Sequence, residues 1–556
     1  MTRFAKALVV AAVSAGFGVT HAHAEEFAAK CANLAGGFEA SGRVIAAEFI
    51  PAGGVQMAPP APKGALAPAP DHCRVEGKIN ERTGSDGKPY AIGYEIRLPA
   101  AWNGKIVFQG GGGVDGVLRP SLGVVGAAMS ADPNALSVGY AVASTDAGHL
   151  EEPGPFGAYL FGLDNRARQD KGYSSVPPVT MAIKSAVAKV YGKPATRSYF
   201  AGCSNGGRQA MMVTQRYPDL FDGVLAAAPA YRVPLAAVDS MGQNRVHLAL
   251  APRLADGNLD FGSAYTEADL KLVSDAVLDA CDGQDGVRDG MVQDLKACRF
   301  DPTVLTCRPG QNSACLSQDK VDGLKAMFGG TRNSKGETLY ASWPYDPGIA
   351  APGWRAWRLG TPGVFPHNAR NLTLIPGSLA YDFFSPPEKI TDVLAFVRGF
   401  DFDRDPPKLS KTVDGYEAGL EFETATSVEL DAFKAKGGKM LFTHGGADPI
   451  FSALDTMAYI DRLAQKYADA NDFARLFIVP GMNHCAGGPA TDKFDALSAL
   501  DTWVERNRAP DMILATARKA PDVPWPGRTR PLCPYPKVAT YTGAGSVEDA
   551  ANFVCK

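Results

Sequence analysis

Short apolar runs recur along two stretches of the chain and predict β-strands. They cover residues 105–108, 141–144, 198–201, 223–227, 439–443 and 475–479. Segments with apolar residues at helical spacing follow several of them, at residues 178–191, 207–217, 453–468 and 493–507. Buried strands that alternate with amphipathic helices are typical of a mostly parallel sheet covered by helices. The pattern therefore predicts an α/β fold.

A large insertion interrupts this alternation, which stops near Tyr231 and resumes near Thr426. The residues between lack the regular pattern, and they contain four cysteines and an aspartate-rich patch. We expect an α/β domain formed by residues 25–230 and 426–556, with residues 231–425 inserted as a lid. Residues 50–70 are rich in proline, alanine and glycine, and they predict an irregular segment near the N-terminus.

Residues 1–24 have the pattern of a secretory signal peptide. Arg3 and Lys6 supply positive charge, residues 7–19 are mostly apolar, and Ala22-His23-Ala24 fits a cleavage site. The apolar stretch is too short for a membrane anchor, which needs about 20 residues. We therefore expect a secreted or periplasmic protein without a membrane span.

The chain has ten cysteines, and an even number in an exported protein suggests disulfides. Local spacing suggests the pairs Cys31–Cys73, Cys281–Cys298, Cys307–Cys315 and Cys533–Cys555, which leaves Cys203 and Cys485 for each other. Spacing does not prove connectivity, and a zinc site is the alternative. No Cys-x-x-Cys pair or Cys/His cluster of zinc spacing occurs, so the sequence favours disulfides.

The remaining composition is that of an ordinary globular protein. Hydrophobic residues make up 46% of the chain, charged residues make up 21%, and the net charge is −3. A chain of 556 residues with this composition can form more than one folding unit. No basic run is present, so the charge pattern does not indicate binding to nucleic acid or to an anionic membrane.

Ser204 is the candidate nucleophile. It lies in Gly202-Cys203-Ser204-Asn205-Gly206, between the run at 198–201 and the helical segment at 207–217. A Gly-x-Ser-x-Gly sequence at a strand-to-helix turn is the nucleophile elbow of α/β-hydrolases, where the glycines leave room for the tight turn. The same spacing also arises by chance in glycine-rich chains, but the strand before and the helix after favour a catalytic role.

Asp448 and His484 are the candidates to activate this serine, because a serine hydroxyl needs a base and the base needs an orienting carboxylate. Asp448 follows the run at 439–443, and His484 follows the run at 475–479. The order Ser, Asp, His is that of α/β-hydrolases, whereas His149 and His444 precede the acid in the chain. A turn carboxylate and a loop histidine are the alternative interpretations.

A disulfide between Cys203 and Cys485 would bring Ser204 and His484 together. Each cysteine is the direct neighbour of one of these two residues. A disulfide holds its two Cα atoms about 4.4–6.8 Å apart. The bond would therefore join the nucleophile and its base across a long stretch of chain.

Gly110-Gly111-Gly112-Gly113 directly follows the first predicted strand. A backbone N–H exposed here, with that of Asn205 after the nucleophile, could form an oxyanion hole, in which one donor contributes about 3–4 kcal/mol. A flexible glycine loop is the alternative. The position of the glycines relative to Ser204 favours the oxyanion hole.

The aspartate-rich patch, Asp282-Gly283-Gln284-Asp285-Gly286-Val287-Arg288-Asp289-Gly290, places three carboxylates among glycines. Such a patch suits a hard cation with oxygen ligands, calcium above all, although its spacing is not that of an EF-hand. A solvated run of Asp-Gly turns is the alternative, and both remain open at this point. The flanking cysteines Cys281 and Cys298 favour a fixed loop.

The arrangement Cys203-Ser204, Asp448 and His484-Cys485 resembles the tannase and feruloyl esterase family, over nearly the whole chain after residue 24. The resemblance implies an α/β-hydrolase fold with a mostly parallel sheet, a large inserted lid and a structural calcium ion in the lid. It implies Ser204, Asp448 and His484 as the catalytic triad and the N–H groups of Gly111 and Asn205 as the oxyanion hole. For calcium it implies the side chains of Asp282, Asp285 and Asp289 and the carbonyls of Val287 and Met291.

Within the family, residues 451–456, 479–485 and 530–536 are most similar to members that hydrolyse a half-ester of terephthalate. This likeness implies that Arg370 holds a substrate carboxylate, which an arginine can pair with two donors. It implies Trp357, Ser378, Phe451 and Leu374 as other pocket residues. Leu374 and Ile375 replace a phenylalanine and a serine of those members, and Asn205 replaces a glutamate. Without the resemblance, Arg370 would be interpreted as a surface arginine.

The sequence thus predicts an exported serine ester hydrolase that acts on small aromatic esters through an acyl-enzyme. Feruloyl-type esters, gallate esters and the terephthalate half-ester are the candidate substrates. A serine peptidase on the same fold and a calcium-dependent binding protein without turnover are the alternatives.

Overall fold

A nine-stranded sheet forms the centre of the molecule, with strand order β1-β4-β5-β7-β6-β8-β9-β10-β11. The computed structural model describes residues 14–59, 61–130, 133–311 and 313–556, with the backbone alone for residues 14–22. The strands are β1 Arg43–Ile50, β2 Gly53–Gln56, β3 Leu66–Ala69, β4 His72–Thr83, β5 Pro89–Pro99, β6 Lys105–Gln109, β7 Ala141–Thr145, β8 Arg197–Cys203, β9 Gly223–Ala227, β10 Lys439–Gly445, β11 Ala474–Val479, β12 Ile513–Thr516, β13 Thr529–Leu532, β14 Ala539–Tyr541 and β15 Phe553–Cys555.

Helices cover the sheet and form most of the regular structure in the insertion. They are α1 Ser14–Ala32, α2 Asn165–Gln169, α3 Val176–Tyr191, α4 Asn205–Arg216, α5 Val233–Leu250, α6 Glu267–Cys281, α7 Gln318–Gly329, α8 Pro352–Arg358, α9 Arg370–Gly377, α10 Val393–Gly399, α11 Gly419–Phe422, α12 Asp431–Ala435, α13 Ala453–Lys466 and α14 Ala496–Arg506. The four helices predicted from apolar spacing correspond to α3, α4, α13 and α14.

All six predicted strands are present, and they are the parallel strands β6 to β11. Their residues are almost entirely buried, which explains why continuous apolar runs revealed them. The mostly parallel α/β-hydrolase fold is therefore confirmed. The carboxyl ends of β8, β10 and β11 meet at one edge of the sheet, where Ser204, Asp448 and His484 follow them.

The antiparallel strands β1, β4 and β5 were not predicted, because charged residues interrupt their apolar positions. These charges pair within the sheet: Arg74 Nε of β4 donates to Glu95 Oε2 of β5 at 2.9 Å, and Arg97 Nε donates to Glu95 Oε1 on the same strand at 2.7 Å. Residues 50–70 are also more regular than expected, since β2 and β3 form an antiparallel pair there. Backbone pairing, rather than apolar pattern, builds these elements.

The insertion between β9 and β10 contains helices, turns and isolated bridges, with no named strand among its described residues. An apolar core fills it, and Ile450 and Phe451, which follow β10, belong to the same cluster. Buried ion pairs also join the insertion to the sheet domain. Lys171 Nζ lies 2.5 Å from Asp382 Oδ2 and 3.0 Å from Glu423 Oε1, and all three side chains are inaccessible to solvent or nearly so.

Of the predicted signal peptide, residues 1–13 lie outside the described residues. Helix α1 continues across the predicted cleavage site after Ala24, and Phe27, Cys31 and Leu34 beyond that site are buried against the sheet. Among the described residues, no helix has both the length and the apolar character needed to cross a membrane.

The structure contains the five disulfides that spacing suggested, Cys31–Cys73, Cys203–Cys485, Cys281–Cys298, Cys307–Cys315 and Cys533–Cys555. The described residues include no free cysteine. Four of the bonds close short loops, whereas Cys203–Cys485 joins residues 282 positions apart.

Candidate active site

Ser204 lies on a strained turn between β8 and α4. Its backbone has φ 64° and ψ −124°, a conformation that non-glycine residues rarely adopt. The turn is tightly packed: a Cβ on Gly202 would lie 2.5 Å from the carbonyl carbon of Gly206, and a Cβ on Gly206 would lie 2.6 Å from Gly111 O. Both glycines are therefore sterically required, as a nucleophile elbow demands.

Asp448 orients the imidazole of His484. The Asp448 Oδ2 atom lies 2.7 Å from His484 Nδ1, and Asp448 Oδ1 accepts the N–H groups of Ile450 and Phe451. Burial alone would raise the pKa of Asp448, but His484 and His444 hold it well below its usual range. The carboxyl is therefore ionised, the state in which it can orient and stabilise a histidine base.

His444 has a supporting position that the sequence did not reveal. It is completely buried, with Nδ1 2.9 Å from Thr456 Oγ1 and Nε2 3.1 Å from the carbonyl oxygen of Phe451. Its Nε2 also lies 3.5 Å from Asp448 Oδ2. Both nitrogens of His444 are thus engaged. His444 is in no position to serve as the base, and it packs behind Asp448 instead.

The second nitrogen of His484 has no fixed partner. Nε2 is buried and makes no hydrogen bond to any described residue. The disulfide holds the Cα atoms of Cys203 and Cys485 6.0 Å apart, so the neighbouring residues Ser204 and His484 belong to two loops that are bonded to each other. Cys485 O also accepts the N–H of Ala127 at 2.8 Å, which fixes the histidine loop further. The arrangement leaves a base nitrogen available next to the serine loop.

The two predicted oxyanion donors differ in their present partners. The N–H of Asn205, at the start of α4, donates to no described residue, as expected for the first turn of a helix. The N–H of Gly111 donates to Gln209 Oε1 at 3.2 Å, a long and weak hydrogen bond. A Cβ on Gly110 would lie 2.9 Å from the Cα of Gly206, so the glycine loop packs directly on the elbow.

Two of the predicted pocket residues, Trp357 and Phe451, border the imidazole, and a third, Arg370, lies over Trp357. The rings of Trp357 and Phe451 lie 5.2 Å and 5.5 Å from the His484 ring, both edge-on. The guanidinium of Arg370 lies 5.3 Å from the centre of the Trp357 ring. Aromatic surfaces beside the base suit an aromatic substrate.

The other two predicted pocket residues, Ser378 and Leu374, contact each other. The Ser378 hydroxyl is buried and donates to the backbone carbonyl of Leu374 at 3.0 Å, so it is engaged within helix α9 and the turn that follows. Arg370 also lines a cavity of about 700 Å³ with Arg355, Ala356 and Asn368. No triad residue lines that cavity.

The aspartate-rich loop has oxygen atoms that lack partners. Asp285 Oδ2 and Asp289 Oδ1 are buried without a hydrogen bond, and the carbonyls of Val287 and Met291 accept none from the described residues. Burial first, and then the charges of Asp289 and Asp282, raise the pKa of Asp285 to about 7. Free carboxylate and carbonyl oxygens in one loop are the ligands that calcium prefers.

The side chains of this loop do not form a metal cluster by themselves. Asp282 accepts the N–H groups of Asp289, Gly290 and Met291, and Asp289 Oδ2 pairs with Arg530. Accordingly, no three histidine, cysteine or acidic side chains in the described ranges converge as a metal site. The two free carboxylate oxygens and two free carbonyls fit a cation, with Asp282 serving to hold the loop.

Comparisons with known proteins show the family to which the chain is related. A family model described as tannase and feruloyl esterase matches residues 73–556. The chain is 42% identical to the mono(2-hydroxyethyl) terephthalate hydrolase of Piscinibacter sakaiensis, covering 89% of this chain and 86% of that one. It is 26% identical to feruloyl esterase C of Talaromyces stipitatus, covering 87% and 86%.

The fold is also similar to a solved structure. The crystal structure of feruloyl esterase B from Aspergillus oryzae superposes with a TM-score of 0.75 at 25% identity, over 95% of this chain and 100% of that one.

We predict that replacing Cys203 and Cys485 together by alanine lowers both stability and turnover. The chain-entropy model gives an upper limit of about 5–6 kcal/mol for a loop of 282 residues. Loss of the bond should also lower kcat by about 100-fold, because the serine and histidine loops are no longer held together. Chemical denaturation and initial-rate kinetics measure the two effects.

The matched control replaces Cys307 and Cys315, which are 8 positions apart in the insertion. The same model gives about 2–3 kcal/mol for such a loop, and kcat should be unaffected. Equal kinetic losses in the two variants would contradict a specific role for Cys203–Cys485.

Proposed function

We propose a serine mechanism on Ser204, His484 and Asp448 for this chain, which belongs to the tannase and feruloyl esterase family. The members of this family are carboxylic ester hydrolases of aromatic esters. The protein is thus a carboxylic ester hydrolase that acts on aromatic esters. The observation that carries the proposed mechanism is the Asp448–His484 hydrogen bond, which leaves His484 Nε2 free in a loop that the Cys203–Cys485 disulfide joins to the serine loop.

The reaction begins when Ser204 Oγ attacks the ester carbonyl carbon while His484 Nε2 accepts its proton. Asp448 holds the imidazole in the required orientation and stabilises the imidazolium. The carbonyl oxygen gains negative charge, and the N–H of Asn205 at the helix N-terminus donates to it. The N–H of Gly111 adds a second donor, because a charged oxygen is a stronger acceptor than the amide oxygen of Gln209.

The tetrahedral intermediate then collapses and breaks the bond to the alcohol oxygen, which takes the proton from His484. The aromatic acyl group stays on Ser204 as an ester. Water, deprotonated by His484, attacks this acyl-enzyme, and the serine leaves with the returned proton. The relatives are esterases rather than peptidases or binding proteins, which favours this course over the two alternatives drawn from the sequence.

We predict that Ser204→Ala lowers kcat on an aromatic ester by roughly 10⁴- to 10⁶-fold, since it removes the nucleophile. The folded state should persist, because the hydroxyl makes no hydrogen bond to the described residues. Wild-type protein treated with a fluorophosphonate should carry one adduct, located at Ser204 by peptide mapping, and the variant should carry none. Undiminished turnover in Ser204→Ala would overturn the mechanism.

Arg370 is proposed to hold a substrate carboxylate. Its guanidinium is exposed and has no ion pair or hydrogen bond among the described residues, although it rests over the face of Trp357. Trp357 in turn contacts His484. A free guanidinium one aromatic ring away from the base suits an aromatic ester that carries a second, ionised carboxyl group, such as the terephthalate half-ester.

We predict that Arg370→Ala raises KM for the terephthalate half-ester by roughly 10-fold or more, as expected for loss of one charge-assisted hydrogen-bonded pair. Methyl ferulate and methyl gallate, which lack the carboxylate, should be affected little. The matched control is Arg404→Ala, an exposed arginine of the same insertion paired with Asp401. An equal effect of Arg370→Ala on all three esters would remove the anchoring role.

A structural calcium ion is proposed in the aspartate-rich loop, held by Asp285, Asp289 and the carbonyls of Val287 and Met291, while Asp282 holds the loop through backbone N–H groups. The free oxygens of that loop support the proposal. The loop also contacts the C-terminal segment through Arg528 and Arg530. A bound cation would therefore stabilise the junction between the insertion and the C-terminal segment.

We predict that chelation lowers Tm and that added calcium restores it, because the ion binds the folded state alone. Asp285→Asn should abolish the response, whereas Asp256→Asn, at an exposed Asp-Gly turn of the same insertion, should keep it. Calorimetry on the chelated protein measures both Tm and calcium binding. A calcium response retained in Asp285→Asn would contradict the site.

The protein is also proposed to be exported. Five disulfides are stable in an oxidising compartment and rare in the cytosol. The signal-like residues 1–24 support the same location.

A further inference from the structure

Asp115 is a buried carboxylate beside the active site that the triad does not use. It follows the glycine loop, has a left-handed backbone with φ 54°, and is 9% exposed. Its Oδ1 accepts Asn205 Nδ2 at 2.7 Å, and its Oδ2 accepts Gln209 Nε2 at 2.9 Å. Burial raises the pKa of Asp115, although the two amide donors and the charges of Lys171 and Arg208 oppose the change.

These three side chains connect the glycine loop to the first turns of helix α4. Gln209 Oε1 accepts the N–H of Gly111, and a Cβ on Gly111 would lie 2.7 Å from Asp115 Oδ2. The carboxylate therefore packs directly on the backbone of Gly111. A run of four glycines has no side chains to fix its own conformation, so these contacts hold it together with the hydrogen bond from the N–H of Gly110 to the carbonyl of Ala201.

Arg208 fixes the orientation of the Asn205 amide. Arg208 Nε donates to Asn205 Oδ1 at 2.7 Å, which turns Asn205 Nδ2 toward Asp115. Arg208 is fully buried, lies 3.3 Å from Glu423 Oε2 of the insertion, and donates to the carbonyl of Gly172. The same residue, Asn205, thus offers its backbone N–H to the site and its side chain to a buried polar cluster.

We propose that Asp115, Asn205 and Gln209 form a positioning clamp that holds the glycine loop against the nucleophile elbow and so sets the geometry of the oxyanion hole. None of the three side chains touches the reacting atoms. They act through Gly111, because an oxyanion donor is effective only within about 2.7–3.1 Å of the developing charge. Arg208 and Glu423 tie this clamp to the insertion. The inference deepens the proposed serine mechanism and rests on it.

The hydrogen-bond directions in the clamp allow a sharp test. In Asp115→Asn the new amide has only one acceptor oxygen, so its NH2 group faces the NH2 group of Gln209, and two donors meet. If the Gln209 amide flips to accept that N–H, its own NH2 group then faces the N–H of Gly111, and two donors meet there instead. In Gln209→Glu two carboxylates face each other. The double variant Asp115→Asn/Gln209→Glu reverses the polarity and restores every donor–acceptor pair with the same net charge.

We expect each single variant to lower kcat on methyl ferulate by roughly 10- to 100-fold, less than the loss from deleting an oxyanion donor outright. KM should change little. The double variant should recover most of the wild-type kcat, a coupling that a double-mutant cycle measures directly. The matched control is Asp222→Asn, where a carboxylate accepts the N–H of Ser198 at the opposite edge of the sheet and kcat should stay unchanged.

Two outcomes would overturn the clamp. One is a lower Tm with unchanged kcat in Asp115→Asn, which would assign these residues a purely structural role. The other is a double variant whose kcat equals the product of the two single losses. Ser204→Ala, measured in the same assay, separates the clamp from the serine mechanism. Full activity of Ser204→Ala would refute the serine mechanism. An inactive Ser204→Ala, together with no recovery of kcat in the Asp115→Asn/Gln209→Glu double variant, would refute the clamp alone.

Discussion

The bond between Cys203 and Cys485 is the constraint on which the active site depends. It joins the turn after β8 to the loop after β11, which lie on opposite sides of β9 and β10 in the sheet. The backbone has a positive φ on both sides of the bond: Cys485 has φ 63°, and Ser204, next to Cys203, has φ 64°. Two loops held in such conformations need support from outside, and the covalent link supplies it. The hydrogen bonds around Asp448 and His484 then determine the remaining geometry.

Buried charge supports the site from behind. Lys171, Arg208, Asp382 and Glu423 are inaccessible to solvent and pair across the boundary between the sheet domain and the insertion. Such pairs add little net stability compared with apolar residues, but loss of one partner is costly because the other is left buried and unpaired. These ion pairs therefore determine the position of the insertion relative to the nucleophile elbow more than they determine the free energy of unfolding. The proposed pocket residues Trp357 and Arg370 belong to the insertion, so its placement sets their distance from His484.

In the proposed site, the residues for ester cleavage and the residues for the choice of ester lie in different parts of the fold. Ser204, His484 and Asp448 follow strands of the sheet, where backbone pairing fixes them, and these groups are common to any ester. Trp357 and Arg370 belong to helices of the insertion, whose sequence can vary without disturbing the sheet. Leu374 and Ile375 lie in the same helix as Arg370.

The sequence by itself determined the parallel strands and the nucleophile turn, and it suggested the order of the triad and the pairing of the cysteines. These features are local or depend on chain order: buried strands require continuous apolar runs, and the turn at Ser204 requires glycines at fixed offsets. The tertiary structure alone decided the antiparallel strands, because Arg74 and Arg97 are stable inside the sheet only as partners of Glu95, Arg74 from the neighbouring strand and Arg97 from the same strand. It also decided the roles of His444 and Asp115. Neither residue has a local signal, since a buried polar side chain is defined by the partners that folding brings to it.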